Sequence, residues 1–177
     1  MTGYIESTLG RGETVRAKVA VHWGVYLESL PVLVGAAMVW TLVLFEDLLF
    51  LVEGMTEAHL LTTVFAAGLT MMGVLGLIGS AIYRATTEMA VTDKKVIAKW
   101  GLIARRTMEQ RLNKVESIVV HQGVLGRVFN YGTIYVHGTG SSSTPIRFVS
   151  DPVAFRREVE AAIEAMERAG YPARETA

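Results

Sequence analysis

Leu60–Tyr83 reads LLTTVFAAGLTMMGVLGLIGSAIY, and this stretch decides the fold of the 177-residue chain. Its 24 residues include no Asp, Glu, Lys or Arg. The hydrocarbon core of a bilayer is roughly 30 Å thick, and about 20 apolar helical residues are needed to cross it. We therefore predict a membrane-spanning helix at about residues 60–83, which speaks against an ordinary soluble domain and against a disordered chain.

A second apolar run precedes this stretch. Leu30–Phe45 has no charged residue, and after Glu46 and Asp47 the apolar character continues to Val52. Two registers are open: a helix that starts near Tyr26 and leaves the bilayer at Glu46, or a helix over about residues 30–52. The second is favoured, because Pro31 then occupies a helix start, where its missing N–H costs little. The sequence thus predicts a membrane hairpin at 28–84.

The pair Glu46 and Asp47 has two readings. Carboxylates inside a membrane are candidates for an ion or proton pathway. A charge at the bilayer centre costs about 2.5–3.5 kcal/mol on insertion scales and much less near an interface, so their place towards one end of the run favours an interfacial position. In the second span, small residues recur and predict a helix-packing face: Gly73, Gly76, Gly79 and Ser80.

The distribution of basic residues predicts the topology. Three lie in the first 27 residues, none lies between Glu28 and His59, and 14 follow from Arg84 onward. Because Lys and Arg accumulate in cytoplasmic flanks, both termini are expected in the cytoplasm, with the loop around Gly54 outside. The predicted division is a cytoplasmic N-terminal segment at 1–27, the hairpin, a cytoplasmic domain at 85–170 and a tail at 171–177.

The segment from Ala85 changes to short β-rich runs separated by Gly, Asn and Ser, which is typical of an antiparallel barrel or sandwich. A final helix should begin with Asp151 as N-cap and Pro152 as its first residue. Its apolar residues recur at helical spacing: Phe155, Val159, Ala162, Ile163 and Met166. The sequence therefore predicts an α+β domain capped by a C-terminal helix. Between two strands, Val124–Phe129 should form one helical turn that packs into the open end of the barrel.

Several short segments carry a resemblance to a known family. They are Val91–Lys95, Leu112–Val115, Gln122–Arg127 ahead of Asn130–Thr133, Asp151–Pro152, Gly12–Glu13 and His22–Trp23. With Gly12–Glu13 and His22–Trp23 ahead of the two apolar runs, they resemble the bacterial pleckstrin-homology-like (PH-like) membrane proteins with two N-terminal transmembrane helices. The resemblance implies a PH-like barrel at the cytoplasmic face of the bacterial inner membrane, and it supplies no catalytic residue.

No feature of the sequence indicates catalysis. There is no cysteine, no HExxH, no G-x-S-x-G and no Walker loop. The run Gly138–Thr144 looks like a phosphate cradle but lacks the following Lys and helix, so it is read as a hairpin loop. The four histidines are scattered, and the formal net charge is zero. We expect a non-enzyme without catalytic residues, metal, cofactor or nucleic-acid partner.

Basic residues in the membrane-proximal strands are the candidates for contact with anionic lipid: Lys94, Lys95, Lys99, Arg105, Arg106, Arg111 and Lys114. The headgroup pattern of other PH domains is broken here, because Lys99 is followed by Arg105-Arg106-Thr107 without an Arg at the required place. The cluster is therefore read either as a diffuse lipid contact or as an ordinary solvated, positive-inside face.

Three functions remain open from the sequence. The leading hypothesis is a membrane-anchored interaction or scaffolding module that binds protein partners through strand edges and the groove beside the C-terminal helix. The first alternative is an anionic-lipid sensor that uses the basic strands. The second is a small oligomeric channel or transport subunit that uses Glu46, Asp47 and the glycine face. The expected partners are the lipid bilayer, other proteins and, for the last alternative, further copies of the chain.

Overall fold

The computed structural model describes residues 4–50, 57–102, 106–139 and 144–170. The chain forms two compact units: a helical unit at Val25–Ile82, and a sandwich unit built from the residues up to Gly24 and from Tyr83 onward. In chain order the described α-helices and strands are α1 Tyr4–Thr8, β1 Val15–Ala20, α2 Leu30–Phe50, α3 Glu57–Thr86, β2 Glu88–Thr92, β3 Lys95–Trp100, β4 Arg106–Arg111, β5 Val115–His121, α4 Val124–Val128, β6 Tyr131–Gly138, β7 Thr144–Ser150 and α5 Pro152–Arg168. Two short 3-10 helices, Trp23–Glu28 and Leu112–Lys114, lie between them.

Two apolar helices make up most of the helical unit. Within the described residues, α3 has one stretch, His59–Thr86, that is long and apolar enough to cross a bilayer, with a mean hydropathy of 1.9. Helix α2 begins at Leu30, as the favoured register predicts, but Leu30–Phe45 counts only as a shorter apolar helix. The helical character of both predicted spans is therefore present, while the two-span hairpin stays a prediction.

The sandwich unit contains two antiparallel sheets. One has the strand order β1-β2-β3-β4 and the other the order β5-β6-β7. A bridge between Val21 and Val149 joins the β1 side of the first sheet to β7. Four of the five residues of β2 and the three consecutive residues Val96–Ala98 of β3 are buried, whereas β6 alternates between half-buried and buried residues, as a strand does when one face meets the core. The predicted antiparallel α+β domain is confirmed.

Helix α5 packs on β1, β2, β5 and β6 and closes the core between the sheets. The Asp151 carboxylate accepts the backbone N–H of Ala154 at 3.1 Å, so the N-cap acts as the sequence predicts. Phe155, Val159 and Ala162 are buried, because the 3.6-residue helical period brings them to one face. That face meets core residues of both sheets: Met89, Val91, Val96, Ala98, Leu112, Ile134, Val136, Ile146 and Val149.

The structure differs from the predicted domain division at the N-terminus. Residues 1–27 were expected as a segment separate from the domain at 85–170, but β1 lies in the first sheet. It pairs with β2 from Val15 opposite Thr92 to Ala20 opposite Glu88. The sandwich unit is therefore discontinuous in sequence, since the helical unit is inserted in the chain between two neighbouring strands. The strand that pairs with β1 is distant in the sequence, so the residues around β1 do not indicate where it pairs.

Candidate functional site

The two ends of the sandwich unit carry different residues. The chain leaves the first sheet at Ala20 and returns at Glu88, and these two residues are paired. We name this the insertion end. The turn between β2 and β3, at Asp93 and Lys94, lies at the other end of the same strands, which we name the opposite end. Every candidate residue in the strands and turns can be assigned to one end from the strand register.

The predicted basic cluster is divided between the two ends. Lys99 pairs with Glu88, and Arg106 pairs with Trp100, so both lie at the insertion end. The opposite end holds the other described members: Lys94, Lys95, Arg111 and Lys114. A strand rises about 3.3 Å per residue, which separates the two groups by about 16 Å. Arg105 lies outside the described residues. The basic strands thus present two separate surfaces.

Lys95 belongs to a network within the sandwich unit. Its ammonium group donates to Glu109 Oε2 at 2.9 Å and to the Thr8 carbonyl at 3.1 Å. It also lies 3.8 Å from Glu13 Oε2. With its donors directed to these three oxygens, the ammonium fastens the N-terminal segment to β3 and β4. This placement differs from that of a side chain directed at a lipid surface.

Glu13 is the buried partner in this network, with 3% of its side chain exposed. Oε1 accepts the Thr92 hydroxyl at 2.7 Å, and Oε2 accepts the Gly10 N–H at 2.7 Å. A buried carboxylate requires such donors, because an unpaired one is costly to desolvate. The Gly-Glu pair of the family resemblance therefore has a structural explanation: it holds the start of β1 against the β2–β3 turn.

A groove with a volume of about 600 Å³ opens at the opposite end, beside the last turns of α5. Its charged lining contains four basic and two acidic side chains, so the groove is mixed in charge with an excess of basic groups. Its lining is Glu13, Arg16, Asp93, Lys94, Lys95, Arg111, Asn113, Ala165, Met166 and Ala169. This is the groove beside the C-terminal helix that sequence reasoning proposed for partner docking. Arg16 was missed, because β1 was not recognised as part of the domain.

Aromatic rings cluster at the insertion end. His22 stacks on Tyr131 with ring centroids 5.2 Å apart, and Tyr131 stacks in turn on Phe148 at 5.6 Å. Trp23 meets Phe129 edge-on at 5.2 Å. Such offset and T-shaped pairs add to the energy of apolar burial. The His-Trp pair of the family resemblance therefore packs the residues after β1 against the segment that follows α4.

The environment of His22 favours its neutral form. Its pKa is lowered from 6.5, first by burial and then by the positive charge of Arg84. Nδ1 accepts the Gly24 N–H at 3.0 Å, and this hydrogen bond needs an unprotonated nitrogen. The hydrogen bond at Nδ1 gives no support for His22 as a metal ligand. Within the described ranges, no group of three His, Asp or Glu side chains is close enough to hold a metal ion.

Inside the helical unit, small residues of α3 face α2 and the residues just before it. A Cβ added at Gly73 would overlap the side chain of Leu33, and one at Gly76 would lie 2.8 Å from Ser29 Oγ. Ser80 donates from Oγ to the Val25 carbonyl at 3.4 Å. Gly79 differs, because an added Cβ there has nothing within 4 Å. The side chains of Glu46 and Asp47 lie outside the described part of the chain, although both residues are helical in α2.

We expect Gly73→Ala to loosen the helical hairpin, because its methyl group overlaps Leu33. Overpacking of this kind costs typically about 1–3 kcal/mol. Gly79→Ala is the matched control in the same helix, with open space at the new Cβ. The full chain is titrated with SDS in mixed micelles and its helix content is followed by circular dichroism. Gly73→Ala should unfold at lower SDS than the control, and equal midpoints would contradict this packing.

Seven described antiparallel strands in two sheets, closed by a C-terminal helix, define a PH-like domain. A comparison with protein families matches residues 29–166 to the bacterial PH domain. The match covers most of the chain, and the chain belongs to the bacterial PH domain family. Domains of this family are non-catalytic interaction modules, which suggests a role in protein or lipid interaction.

The other comparisons add no relative. Neither the curated proteins nor the solved structures contain a match to this chain. The family match begins at residue 29, after β1, so the pairing of β1 with β2 is known from the structure alone.

Proposed function

We propose that the protein is a membrane-anchored, non-enzymatic interaction module of the bacterial inner membrane. Helices α2 and α3 span the bilayer as a hairpin, both termini lie in the cytoplasm, and the PH-like unit presents its surfaces to protein partners there. The bilayer is thus one partner and a protein the other. The chain adds binding specificity at a fixed place on the membrane and carries out no chemistry.

The observation that carries the proposal is the apolar surface of α2 and α3. Large side chains on both helices face outward, including Met38, Leu61 and Met71, which are 65%, 70% and 65% exposed. Monomeric soluble proteins rarely expose apolar patches larger than a few hundred Å². Lipid chains would cover this surface, and the helical backbone satisfies its own hydrogen bonds, as a bilayer requires. The absence of Lys and Arg from residues 28–59 supports the orientation.

Two strand edges support a docking role for the PH-like unit. Within the described residues, β4 pairs only with β3 and β5 only with β6, whereas the other outer strands, β1 and β7, are bridged through Val21 and Val149. An outer strand offers unpaired backbone N–H and C=O groups to an extended peptide. The groove beside α5 is the second docking candidate. Together they favour a protein partner over a free small molecule.

The two alternatives have weaker support. An anionic-lipid sensor on a single basic face is not favoured, because four of the described basic residues lie at the opposite end. A channel subunit needs several copies, while Gly73 and Gly76 already face Leu33 and Ser29 of the same chain. Oligomer size in mild detergent separates the readings, because a two-helix channel must be multimeric and an adaptor need not be.

Cysteine labelling in intact cells tests the anchor and its orientation. The chain has no cysteine, so Gly54→Cys and Ser142→Cys each add a single thiol. A membrane-impermeant maleimide should label Gly54→Cys alone, and Ser142→Cys should react only after the cells are opened. Labelling of Ser142→Cys but not Gly54→Cys in intact cells would reverse the orientation. Labelling of neither or both would contradict the hairpin.

Site-specific photocrosslinking tests the docking edges. A photoreactive amino acid is placed at Thr107 on β4, at Ser117 on β5, or at Arg157 on the outer side of α5; all three positions are exposed. We expect adducts of one defined mass from the two edges and several-fold less from Arg157. An adduct of twice 19.3 kDa would identify a second copy of the chain. Equal yields at all three positions would contradict edge docking.

A further inference from the structure

Helix α4 presents large apolar side chains to the outside, although it connects two strands of a packed unit. Val124, Val128 and Leu125 are 81%, 70% and 56% exposed. Gly126 is buried, and a Cβ there would lie 2.5 Å from the Tyr131 carbonyl oxygen. The Gly126 side of the helix therefore packs against the backbone at Tyr131. The expectation that this turn packs into the open end of the barrel is wrong. The close glycine contact turns the apolar residues away from the core.

The strand register places α4 at the insertion end. It follows His121, which pairs with Thr133, and precedes Tyr131, which pairs with Ser150 at the end of β7. The Trp23 ring contacts Phe129, the residue after α4, at 5.2 Å. Trp23 lies two residues before the helical unit begins at Val25. The exposed apolar residues are thus next to the place where the chain enters the proposed membrane hairpin.

Charged and aromatic residues around α4 suit an anionic membrane surface. Arg127 lies between the apolar residues of α4 and is exposed. Further basic residues at the insertion end are Arg84 in the last turn of α3, Lys99 opposite the acidic Glu88, and Arg106 opposite Trp100, while Asp151 serves as the N-cap of α5. Basic groups are attracted to anionic lipid, and Trp and Tyr favour the interface between water and lipid.

The size of the apolar surface argues against a protein partner here. A stable protein interface covers about 800 Å² on each partner, and three apolar side chains on a five-residue helix are far smaller. A membrane contact does not need that area, because the hairpin already holds the unit at the bilayer. A local apolar wedge then needs only to reach the headgroup region, where interfacial helices bury their apolar face about 5–10 Å deep.

We infer that α4 is a second membrane contact of this protein. Val124, Leu125 and Val128 enter the headgroup region of the bilayer, and Arg127 binds anionic phosphate groups beside them. The wedge fixes the orientation of the PH-like unit on the membrane and leaves the groove and the turns of the opposite end directed into the cytoplasm. This inference rests on the proposed hairpin, which supplies the anchoring.

The test uses the full-length chain with single cysteines labelled by an environment-sensitive fluorophore. The chain is reconstituted into vesicles of phosphatidylcholine and phosphatidylglycerol. Leu125→Cys reports on α4, Asn113→Cys on the opposite end, and Met71→Cys on the hairpin. Quenching by a nitroxide near the lipid headgroups is compared with quenching by aqueous iodide. We expect the Leu125→Cys probe to be quenched several-fold more by the lipid nitroxide than the Asn113→Cys probe, and to be shielded from iodide.

Each other outcome overturns the inference in a distinct way. If Met71→Cys reports lipid but Leu125→Cys behaves like Asn113→Cys, α4 does not touch the membrane and the hairpin stands. If Met71→Cys reports no lipid, the proposed anchor itself fails. If the Leu125→Cys probe is shielded from both quenchers, a protein surface covers α4 instead. Adding Val124→Ser and Val128→Ser together should reduce quenching of the Leu125→Cys probe by the lipid nitroxide and increase its quenching by iodide. Unchanged quenching by the lipid nitroxide would contradict the wedge.

Discussion

A chain that begins at Ala85 should fail to fold, whereas residues 4–24 joined to residues 83–170 should fold as a cooperative unit. The shorter chain lacks β1, which pairs with β2 from Val15 to Ala20, and it lacks Val21, which is buried and bridges Val149. Burial of one such Val is worth about 1.5–3 kcal/mol, and each backbone hydrogen bond contributes about 0.5–1.5 kcal/mol. The loss is comparable with the whole stability of a small domain, about 5–15 kcal/mol.

Both chains are compared by urea unfolding and by the dispersion of their amide NMR signals. In the joined chain a Gly/Ser linker of about eight residues replaces the helical unit, because such linkers behave as flexible coils. Val21→Asp in the joined chain is the matched control, since it keeps the length but places a charge in a buried position. It should resemble the short chain. If the chain from Ala85 unfolds at the same urea concentration as the joined chain, β1 is not part of the unit.

Phe155→Ala should have the second largest effect. Phe155 is 2% exposed and belongs to the core between α5 and both sheets. Removing a buried Phe side chain costs about 3–5 kcal/mol, because apolar contacts are lost and a cavity remains. For a small domain this corresponds to a fall of more than about 10 °C in melting temperature. The measurement is thermal unfolding of the joined chain, followed by circular dichroism.

Val153→Ala is the control within the same helix turn. Val153 is 40% exposed, and exposed substitutions usually change stability by less than about 0.5 kcal/mol. The difference between the two variants isolates the buried face of α5 from any general effect on the helix. Equal melting temperatures for Phe155→Ala and the parent chain would show that α5 is not docked on the sheets.

Local patterns were sufficient for the elements whose signal lies within a short stretch. The uncharged run at 60–83 predicted α3, and the spacing of Phe155, Val159 and Ala162 predicted the buried face of α5. Asp151 and Pro152 predicted the start of that helix to the residue. In each case the relevant partners are within one or two turns of each other, so composition and periodicity contain the information.

The candidate site was harder to predict, because it depends on which end of a strand a residue occupies. Seven basic residues within 21 positions looked like one face, but β3 and β4 run in opposite directions. Antiparallel pairing brings Lys99 towards Arg106 and Lys95 towards Arg111, about 16 Å apart along the strands. Lys95 also pairs with Glu13 and Glu109, which are distant in sequence. Counting charged residues along the sequence does not reveal these partners.

The sequence by itself therefore determined two apolar helices, an antiparallel α+β domain and its C-terminal helix, because hydrophobic periodicity and capping act over a few residues. Only the tertiary structure decided that β1 pairs with β2 across the inserted helical unit Val25–Ile82, that the basic residues of β3 and β4 lie at two ends, and that α4 turns its apolar side chains outward. These features depend on strand register and on one close approach, Gly126 against the Tyr131 carbonyl. Strand register depends on pairing between segments that are distant in sequence, and the Gly126 contact depends on the backbone path from α4 into β6; hydrophobic periodicity reports neither.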